Sequence, residues 1–227
     1  YNYEYDNEGN MTKRTEIATG NYRTFEWDHR NRLIRVSSFS IDQQVISTTM
    51  MNYDAANRRV SLKYDAAGAE RVSAFIYDRE DVRISASGLQ SDDLLMKRVL
   101  HGPGIDDIIA EDAESSSIWL LPDRNDSIVA LVDDNVNILE QFKYDAFGNL
   151  QLDAASDLTR YAFTGREYDS ETGLTFFRTR YYSSQIGRFT AEDSIRFLGE
   201  DANLFRYVGN MPSNYNAPNG TTPAAAA

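Results

Sequence analysis

The chain has 227 residues, of which 41% are hydrophobic and 26% charged, a composition ordinary for one large or two small globular domains. Its formal net charge of −12 argues against binding to a nucleic-acid backbone, which needs clustered Lys and Arg. The absence of cysteine excludes disulfides, thiol nucleophiles and thiolate metal sites. Because no apolar run approaches the roughly 20 residues that cross a bilayer, membrane insertion is not expected either.

A short unit recurs along the chain: an aromatic residue, then Asp, two variable residues, and a fifth residue that tolerates positive φ. The fifth residue is Gly, Asn or Asp, the types most at ease in the left-handed region. The Asp side chain can accept hydrogen bonds from the backbone just ahead, so each unit predicts the corner of a β-hairpin. The units lie at residues 5–9, 27–31, 53–57, 64–68, 77–81 and 144–148.

Short strands between these corners predict one continuous antiparallel sheet. We expect its anchors to be the aromatic residues of the units, namely Tyr5, Trp27, Tyr53, Tyr64, Tyr77 and Tyr144. Its turns are expected at Gly9, Gly68 and Gly148. Where the unit lapses, the sequence predicts a strand that runs into a tight loop at 99–104 and a short buried strand at 118–122. It also predicts a hairpin formed by 127–132 and 136–144.

The C-terminal third contains one predicted helix and two segments without a clear pattern. Asp201 can cap a helix whose apolar face is Leu204, Tyr207 and Val208, and Gly209 suits the position after its end. Residues 151–158 are polar and are interpreted as a linker. Residues 221–227 are too featureless to interpret.

The stretch from Tyr161 to Phe189 is the most specific part of the sequence. It contains FTGRE at 163–167, ETGL at 171–174, RTRYY at 178–182 and GRF at 187–189. Together with the repeated units, the HGPG at 101–104 and the strand around Trp119, it closely resembles rearrangement-hotspot (RHS) proteins, also called YD-repeat proteins. The resemblance covers nearly the whole chain.

This resemblance implies an all-β fold. Residues 1–150 would form a spiralling antiparallel YD-repeat sheet, part of a hollow β-shell. Residues 151–220 would form the RHS-associated core that plugs it, with Tyr168, Phe177, Tyr181, Tyr182 and Phe189 packed inside and one short helix. Residues 221–227 would be an unstructured tail or a truncated C-terminal segment.

The resemblance also implies a chemistry. In many bacterial relatives the segment beyond the core is a variable toxin held in the shell, and the core is an intramolecular aspartyl peptidase that severs it. Such a mechanism needs two carboxylates that share a proton. Asp193 matches the first candidate aspartate and Arg180 the supporting arginine, but Ala217 occupies the position of the second. Because a methyl group is neither acid nor base, we expect the chain to be cleavage-deficient.

No other site is expected. His29 and His101 lie in different repeats, and structural roles are predicted for both. The sequence from Asp133 begins like a calcium loop but carries Ile138 and Tyr144 where Gly and Glu are required. The acidic pairs at 92–93 and 106–107 are interpreted as solvated loop charges. No cofactor and no metal are therefore predicted.

We therefore expect a structural shell segment of an exported bacterial protein, secreted or at the cell surface, that encloses or presents a C-terminal cargo segment. The alternatives are a self-cleaving aspartyl peptidase and a teneurin-like adhesion or glycan-binding protein. The chain opens at Tyr1 within a pattern and is interpreted as a piece of a longer protein. The expected partners are upstream YD repeats of the same protein, or a second chain that completes the shell, and the cargo segment.

Overall fold

A computed structural model of the chain describes residues 1–88, 95–104, 106–113, 116–151, 156, 158–199, 201–221 and 224–225. Within these ranges the secondary structure is almost entirely β. The helices among them are three short 3₁₀ segments, at Phe163–Gly165, Arg196–Gly199 and Val208–Asn210. The all-β fold class predicted from the sequence is confirmed.

The first thirteen strands form one antiparallel sheet, called here the strip, in which each strand pairs with its neighbours in sequence. Its edges are therefore the first and the last of these strands. In chain order they are β1 (Asn2–Tyr5), β2 (Met11–Thr15), β3 (Tyr22–Trp27), β4 (Leu33–Phe39), β5 (Val45–Tyr53), β6 (Arg59–Ala66), β7 (Ala69–Asp78), β8 (Asp81–Gly88), β9 (Leu95–His101), β10 (Ile108–Ala113), β11 (Ser116–Pro122), β12 (Ile128–Val132) and β13 (Ile138–Gln141).

Four further strands form a second antiparallel sheet, called here the core sheet, again in sequence order. They are β14 (Glu167–Asp169), β15 (Leu174–Phe177), β16 (Arg180–Ser183) and β17 (Arg188–Phe189). Every residue of β15 and β16 is buried, which a strand reaches only when both of its faces are covered. A small ladder pairs β18 (Tyr215–Asn216) with β19 (Ala224–Ala225).

Four of the six repeated units make the same hairpin corner. In the unit at 53–57, Asp54 Oδ1 accepts hydrogen bonds from the amides of Ala56 and Arg58, both at 2.9 Å. Asn57 takes the left-handed conformation, with φ of 67°. The units at 5–9, 27–31 and 144–148 bind their Asp side chains in the same way. The sequence prediction of an Asp-started turn is confirmed at these positions.

The remaining corners differ from the prediction in two ways. In the units at 64–68 and 77–81 the strands run on through the Asp, and two-residue turns at 67–68 and 79–80 close the hairpins. The positive φ of the second therefore falls on Arg79 rather than Asp81. Conversely, Asp123 and Asp133 form the same Asp loop without an aromatic residue before them. The carboxylate, rather than the aromatic pair, is thus what makes the loop.

Four of the six aromatic residues join their corner to the strand that follows the preceding Asp loop. Tyr53 donates its hydroxyl hydrogen to the carbonyl of Leu33 at 2.7 Å, the first residue of the strand that follows the preceding Asp loop. Trp27, Tyr77 and Tyr144 make the equivalent bond to the first residues of β2, β6 and β12. Tyr5 departs from its predicted role, since it is 41% exposed at the edge of the strip.

The strip curls around the core sheet. Arg14 of β2 donates to Gln185, and the Tyr182 hydroxyl donates to the carbonyl of Phe147, which follows β13. A flat sheet of thirteen strands is roughly 55–60 Å wide, whereas four strands span about 15 Å. The core sheet can touch both ends of the strip only because the strip bends around it. The core therefore lies on the concave face, where Met11, Leu33 and Leu131 are buried.

Three expectations for local structure need correction. The α-helix predicted at 201–209 is replaced by turns, because Asp201 and Asn203 each accept a hydrogen bond from the amide two residues ahead, which competes with helical bonding. The strand predicted as buried at 118–122 is half-exposed, with Trp119 42% accessible. In the tail, the strand Ala224–Ala225 was not predicted.

Three segments interpreted from the sequence fall outside the described residues, wholly or in part. One is the tail, of which residues 222–223 and 226–227 are not described, and the other two lie further upstream. They are the acidic pair at 92–93 and most of the linker, namely residues 152–155 and 157.

Candidate functional site in the core and at the chain end

The core is packed around a group of aromatic rings that are excluded from solvent. Phe177, Tyr182, Phe189 and Tyr207 are all fully buried, and their ring centroids lie 4.6–5.8 Å apart, mostly edge to face. Such geometry adds to the free energy gained by burying the rings. The predicted packing of Phe177, Tyr181, Tyr182 and Phe189 is confirmed, while Tyr168 is only half-buried.

A buried arginine of the strip joins it to the core sheet. Arg59, the first residue of β6, is fully buried, and its Nη2 lies 2.6 Å from Glu167 Oε2. Its Nη1 lies 2.5 Å from Asp169 Oδ2 and donates to the Tyr181 hydroxyl at 2.8 Å. The guanidinium also lies over the Phe176 ring, 4.4 Å from its centroid. One side chain thus fastens β6 to β14, β15 and β16.

The two carboxylates of this group respond differently to burial. Burial raises the pKa of Asp169 to about 6, and the Arg59 guanidinium limits that rise. Burial also acts to raise the pKa of Glu167, but the guanidinium groups of Arg160 and Arg59 outweigh it and lower the pKa below its usual range. At neutral pH both carboxylates are therefore ionised and paired.

A second ionic contact surrounds Asp106. This side chain is 6% exposed, and its Oδ1 lies 2.5 Å from Arg166 Nη1 and 2.7 Å from Arg178 Nη2. The interpretation of 106 as a solvated loop charge is therefore wrong. Gly165 explains part of the FTGRE motif, because a Cβ there would lie 2.8 Å from the Asp106 carbonyl oxygen. Any side chain at 165 would push the core away from the strip.

Three consecutive residues of the core hold the segment 217–220, called here the chain end. Arg178 Nη1 donates to the Pro218 carbonyl at 2.8 Å, and Thr179 Oγ1 donates to the Asn219 carbonyl at 2.7 Å. Arg180 Nε donates to the carbonyl of Gly220. A Cβ on Gly220 would lie 2.4 Å from the Phe177 carbonyl oxygen, so the backbones are in direct contact. The RTR motif therefore binds backbone carbonyls in succession.

The structure brings together two of the three residues matched to a peptidase site. Arg180 Nη2 lies 2.7 Å from Asp193 Oδ2, and Asp193 Oδ1 accepts a hydrogen bond from the Ile195 amide at 3.0 Å. Burial lowers the pKa of Arg180 to about 10, and the Asp193 carboxylate limits that shift, so the arginine remains charged at neutral pH. Asp193 is thus one carboxylate held by one guanidinium, directly beside the chain end.

Ala217, the third of these residues, is fully buried among aromatic side chains that include Phe163 and Tyr207. It supplies no acid. Among the described residues, the carboxylate that shares a small cavity of about 20 Å³ with Asp193 is instead Asp201. Arg206 binds both oxygens of Asp201 and holds the pKa of that carboxyl below its usual range. The arrangement provides carboxylates paired with arginines and not two carboxylates that share a proton.

Sequence reasoning missed Arg59, because its exceptional position becomes visible only when the units that form Asp loops are known from the structure. In the Asp loops that the structure forms, the fifth residue after the Asp is apolar, as Met11, Leu33 and Ile128, except after Asp54, where it is Arg59. The repeated units at 64–68 and 77–81, which form no Asp loop, carry Glu70 and Arg83 at that position. A charge at a position that is otherwise apolar marks a buried ionic contact. Asp106 carried no such signal, because its partners lie far away in sequence.

Known proteins resemble the chain over almost its whole length. The sequence profile of the teneurin YD-shell family matches residues 1–212. The tRNA nuclease WapA of Bacillus subtilis is 25% identical over 222 residues, which are 95% of this chain and 9% of WapA. The probable deoxyribonuclease RhsB of Dickeya dadantii is 25% identical over 218 residues, which are 92% of this chain and 14% of RhsB. The chain thus spans a small part of these relatives.

Solved structures share the fold at low sequence identity. The crystal structure of TcdB2–TccC3 superposes with a TM-score of 0.69 at 18% identity, covering 96% of this chain and 13% of that one. The Tc holotoxin pore of Photorhabdus luminescens with a mutated TccC3 gives 0.74 at 20% identity, covering 97% of this chain and 11% of that one. Among the described residues no helix is long and apolar enough to cross a membrane. The chain belongs to the teneurin YD-shell family of RHS/YD-repeat proteins.

Proposed function

We propose that this chain is a shell segment that encloses or presents the C-terminal part of its own protein and does not cut that part off. The observation that carries the proposal is the grip on the chain end by Arg178, Thr179 and Arg180, which bind three successive carbonyls. Because these contacts are made to backbone, they hold the path of the chain whatever sequence follows. A chain held in this way continues from a fixed point beside the core.

The strip supports an enclosing role. It bends around the core sheet, and its edge strands β1 and β13 each pair on one side only. Open edges invite further strands. Upstream YD repeats of the same protein, or a second chain, would complete the wall. The Tc structures that share the fold, and the longer RHS relatives, fit a shell assembled with other components. The same likeness favours an exported bacterial protein, secreted or at the cell surface.

The chemistry beside the chain end supports the absence of cleavage. Asp193 is paired with Arg180, and the position of the second aspartate is the methyl group of Ala217. Aspartyl catalysis needs two carboxyl groups, one acting as acid and one as base, and Asp193 by itself supplies only one of them. Asp201 does not replace the missing acid, since Arg206 keeps it ionised.

The intact mass of the purified chain tests this proposal. It is compared with Ala217→Asp, which restores a second carboxylate, and with Ala217→Asn, which has the same shape without an acid. We expect the parent and Ala217→Asn to remain whole and Ala217→Asp to break at residues 218–220. Circular dichroism on all three samples checks that the buried substitution has not unfolded the core.

The second candidate is an active aspartyl peptidase, which the Arg180–Asp193 contact beside the chain end favours. If the parent chain breaks at residues 218–220, and Asp193→Asn stops the break, this candidate is correct and the proposed absence of cleavage is wrong. The teneurin-like adhesion function remains an alternative prediction that none of the contacts described above favours.

A further inference from the structure

Two arginines face each other on neighbouring strands of the strip. Arg14 of β2 and Arg23 of β3 are direct cross-strand partners. Both lie on the concave face, since Arg23 is two residues from the buried Phe25. Like charges placed opposite each other on one face of a sheet destabilise it. On the convex face of the same strands, by contrast, Lys13 is neutralised by Glu4 at 3.2 Å.

Neither arginine of this pair has a carboxylate within 4.0 Å among the described residues. Arg14 donates to the neutral Gln185 side chain at 2.7 Å, and Arg23 donates to the Thr172 carbonyl at 2.5 Å. Arg14 is buried and Arg23 is half-buried, whereas three other buried arginines are each paired with a carboxylate. These are Arg59, Arg166 and Arg180.

Both guanidinium groups line a cavity of about 400 Å³ between the strip and two turns of the core. Its other polar walls include Asn149, Tyr168 and Ser184, which can donate hydrogen bonds. None of the described lining residues is acidic, although the chain as a whole carries a net charge of −12. Burial, and then the neighbouring Arg14, lower the pKa of Arg23, which shows that its charge is poorly compensated.

We infer that Arg14 and Arg23 form an oxyanion site on the concave face, which binds a phosphate or carboxylate group between the two guanidiniums. The planar forks of two arginines match the oxygens of such groups and bind them through paired, charge-assisted hydrogen bonds. An anion there removes the repulsion between the cross-strand partners. The site is separate from the chain end, so the result of an anion-binding test does not depend on whether the chain is cleaved.

Isothermal titration of the chain with inorganic phosphate, at an ionic strength held constant with sodium chloride, tests the site. We expect saturable binding by the parent, and binding weakened about tenfold or more in Arg14→Gln and in Arg23→Gln. Arg83→Gln, which removes one exposed charge from another strand, is the matched control and should bind like the parent. The site is absent if phosphate produces no saturable heat in the parent, or if the three variants bind it equally.

Unfolding in urea separates this site from a purely structural role. If the pair binds an oxyanion, the account of the site predicts that phosphate raises the urea midpoint of the parent but not that of Arg23→Gln. It also predicts that, without phosphate, Arg23→Gln is at least as stable as the parent, because a repulsion is gone. If Arg23 merely anchors the core turn through the Thr172 carbonyl, Arg23→Gln is less stable in every buffer and phosphate has no effect on either chain.

The source of the oxyanion is distinguished by a second titration, with N-acetyl-glutamate amide as a mimic of a peptide side chain. Binding of this compound as well as phosphate assigns the site to a carboxylate of an enclosed chain segment. Binding of phosphate alone assigns it to a free anion.

Discussion

The strip and the core sheet are both antiparallel, yet they are held together in different ways. In the strip a corner is closed by residues four apart, as when Asp54 binds the amide of Arg58. In the core the contacts that matter join distant residues, as when Arg59 meets Asp169, 110 residues further on. The strip therefore repeats a turn whose hydrogen bonds are local in sequence, whereas the contacts of the core form only when distant parts of the chain have folded together.

This difference has consequences for stability. Each Asp loop and each aromatic bond contributes modestly and mainly supports its neighbours, as in other repeat architectures. The ionic groups of the core are buried, so removal of one partner leaves a charge that water cannot reach. The core should therefore be sensitive to single substitutions that the strip tolerates. The predictions that follow test this contrast.

The largest effect is expected at Arg59. Arg59→Met keeps much of the apolar volume but leaves Glu167 and Asp169 buried without their cation, which should lower the free energy of unfolding by about 3–5 kcal/mol. Arg35→Met is the control, because its partner Glu26 is solvent-exposed, and a change within about 0.5 kcal/mol is expected. Urea unfolding measures both. Equal losses in the two variants would remove the distinction between core and strip.

The next largest effect is expected at Gly220. Gly220→Ala introduces a Cβ 2.4 Å from the Phe177 carbonyl oxygen at a residue with φ of 65°, so the chain end must leave the core. The control is Gly68→Ala in a strip turn, where φ is 85° but no atom lies within 4 Å of the added Cβ. Both substitutions carry backbone strain of about 1–2 kcal/mol, because both residues have positive φ. Only Gly220→Ala should expose residues after 211 to limited proteolysis; equal proteolysis would show that the contact with Phe177 is not decisive.

The free energy of unfolding should depend on pH with opposite signs for an aspartate of the strip and an aspartate of the core. Burial works to raise the pKa of Asp54, but hydrogen bonds from Arg58 outweigh it and lower the pKa. The contribution of Asp54 to the free energy of unfolding is therefore present above about pH 3.9 and is lost in stronger acid. Burial raises the pKa of Asp169 to about 6. The folded state therefore takes up that proton first, and the contribution of Asp169 to the free energy of unfolding rises as the pH falls from about 6 to about 4.

NMR of the side-chain carboxyl carbons measures the titration midpoints of Asp54 and Asp169 directly. The predicted order is Asp54 below the ordinary aspartate value of about 3.9 and Asp169 well above it. Asp54→Asn and Asp169→Asn assign the signals. A midpoint for Asp169 at or below that of Asp54 would mean that the core carboxylate is not desolvated as described.

The smallest effect is expected for a single aromatic bond of the strip. Tyr53→Phe removes the hydrogen bond to the Leu33 carbonyl and keeps the ring, so a loss of about 1 kcal/mol is expected. Tyr5→Phe, at an exposed edge residue, should change little. Thermal unfolding followed by circular dichroism compares the two. A loss for Tyr53→Phe as large as that for Arg59→Met would contradict the view that the bonds of the strip are individually weak.

The same contrast explains how much the sequence could predict. The Asp loops were predictable because the carboxylate and the amides that it binds lie within four residues of each other, so the signal is local. The prediction went wrong at 201–209, where two Asx turns compete with a helix that the apolar spacing favoured. The partners of Arg59 and Asp106 were not predictable, because only the folded strip brings them to the core.

The candidate site was predicted through family resemblance and not through residue chemistry. The contact of Arg180 with Asp193 follows from that resemblance, but the grip of Arg178 and Thr179 on the chain end does not. Backbone carbonyls carry no sequence signature, so a motif that binds them shows only as a run of donors. The Arg14–Arg23 pair was hidden for a different reason, because cross-strand register is needed to see it.

Hydrogen exchange of the Gly220 amide measures whether the core holds the chain end. This amide bonds to the Ala217 carbonyl beside Arg180, and the account predicts exchange as slow as that of β15 and β16. Arg180→Gln should accelerate it while leaving the amides of the strip hairpin β5–β6 unchanged. Exchange in the parent as fast as in the exposed turn at 41–44 would contradict the account, because the chain end would then be free of the core.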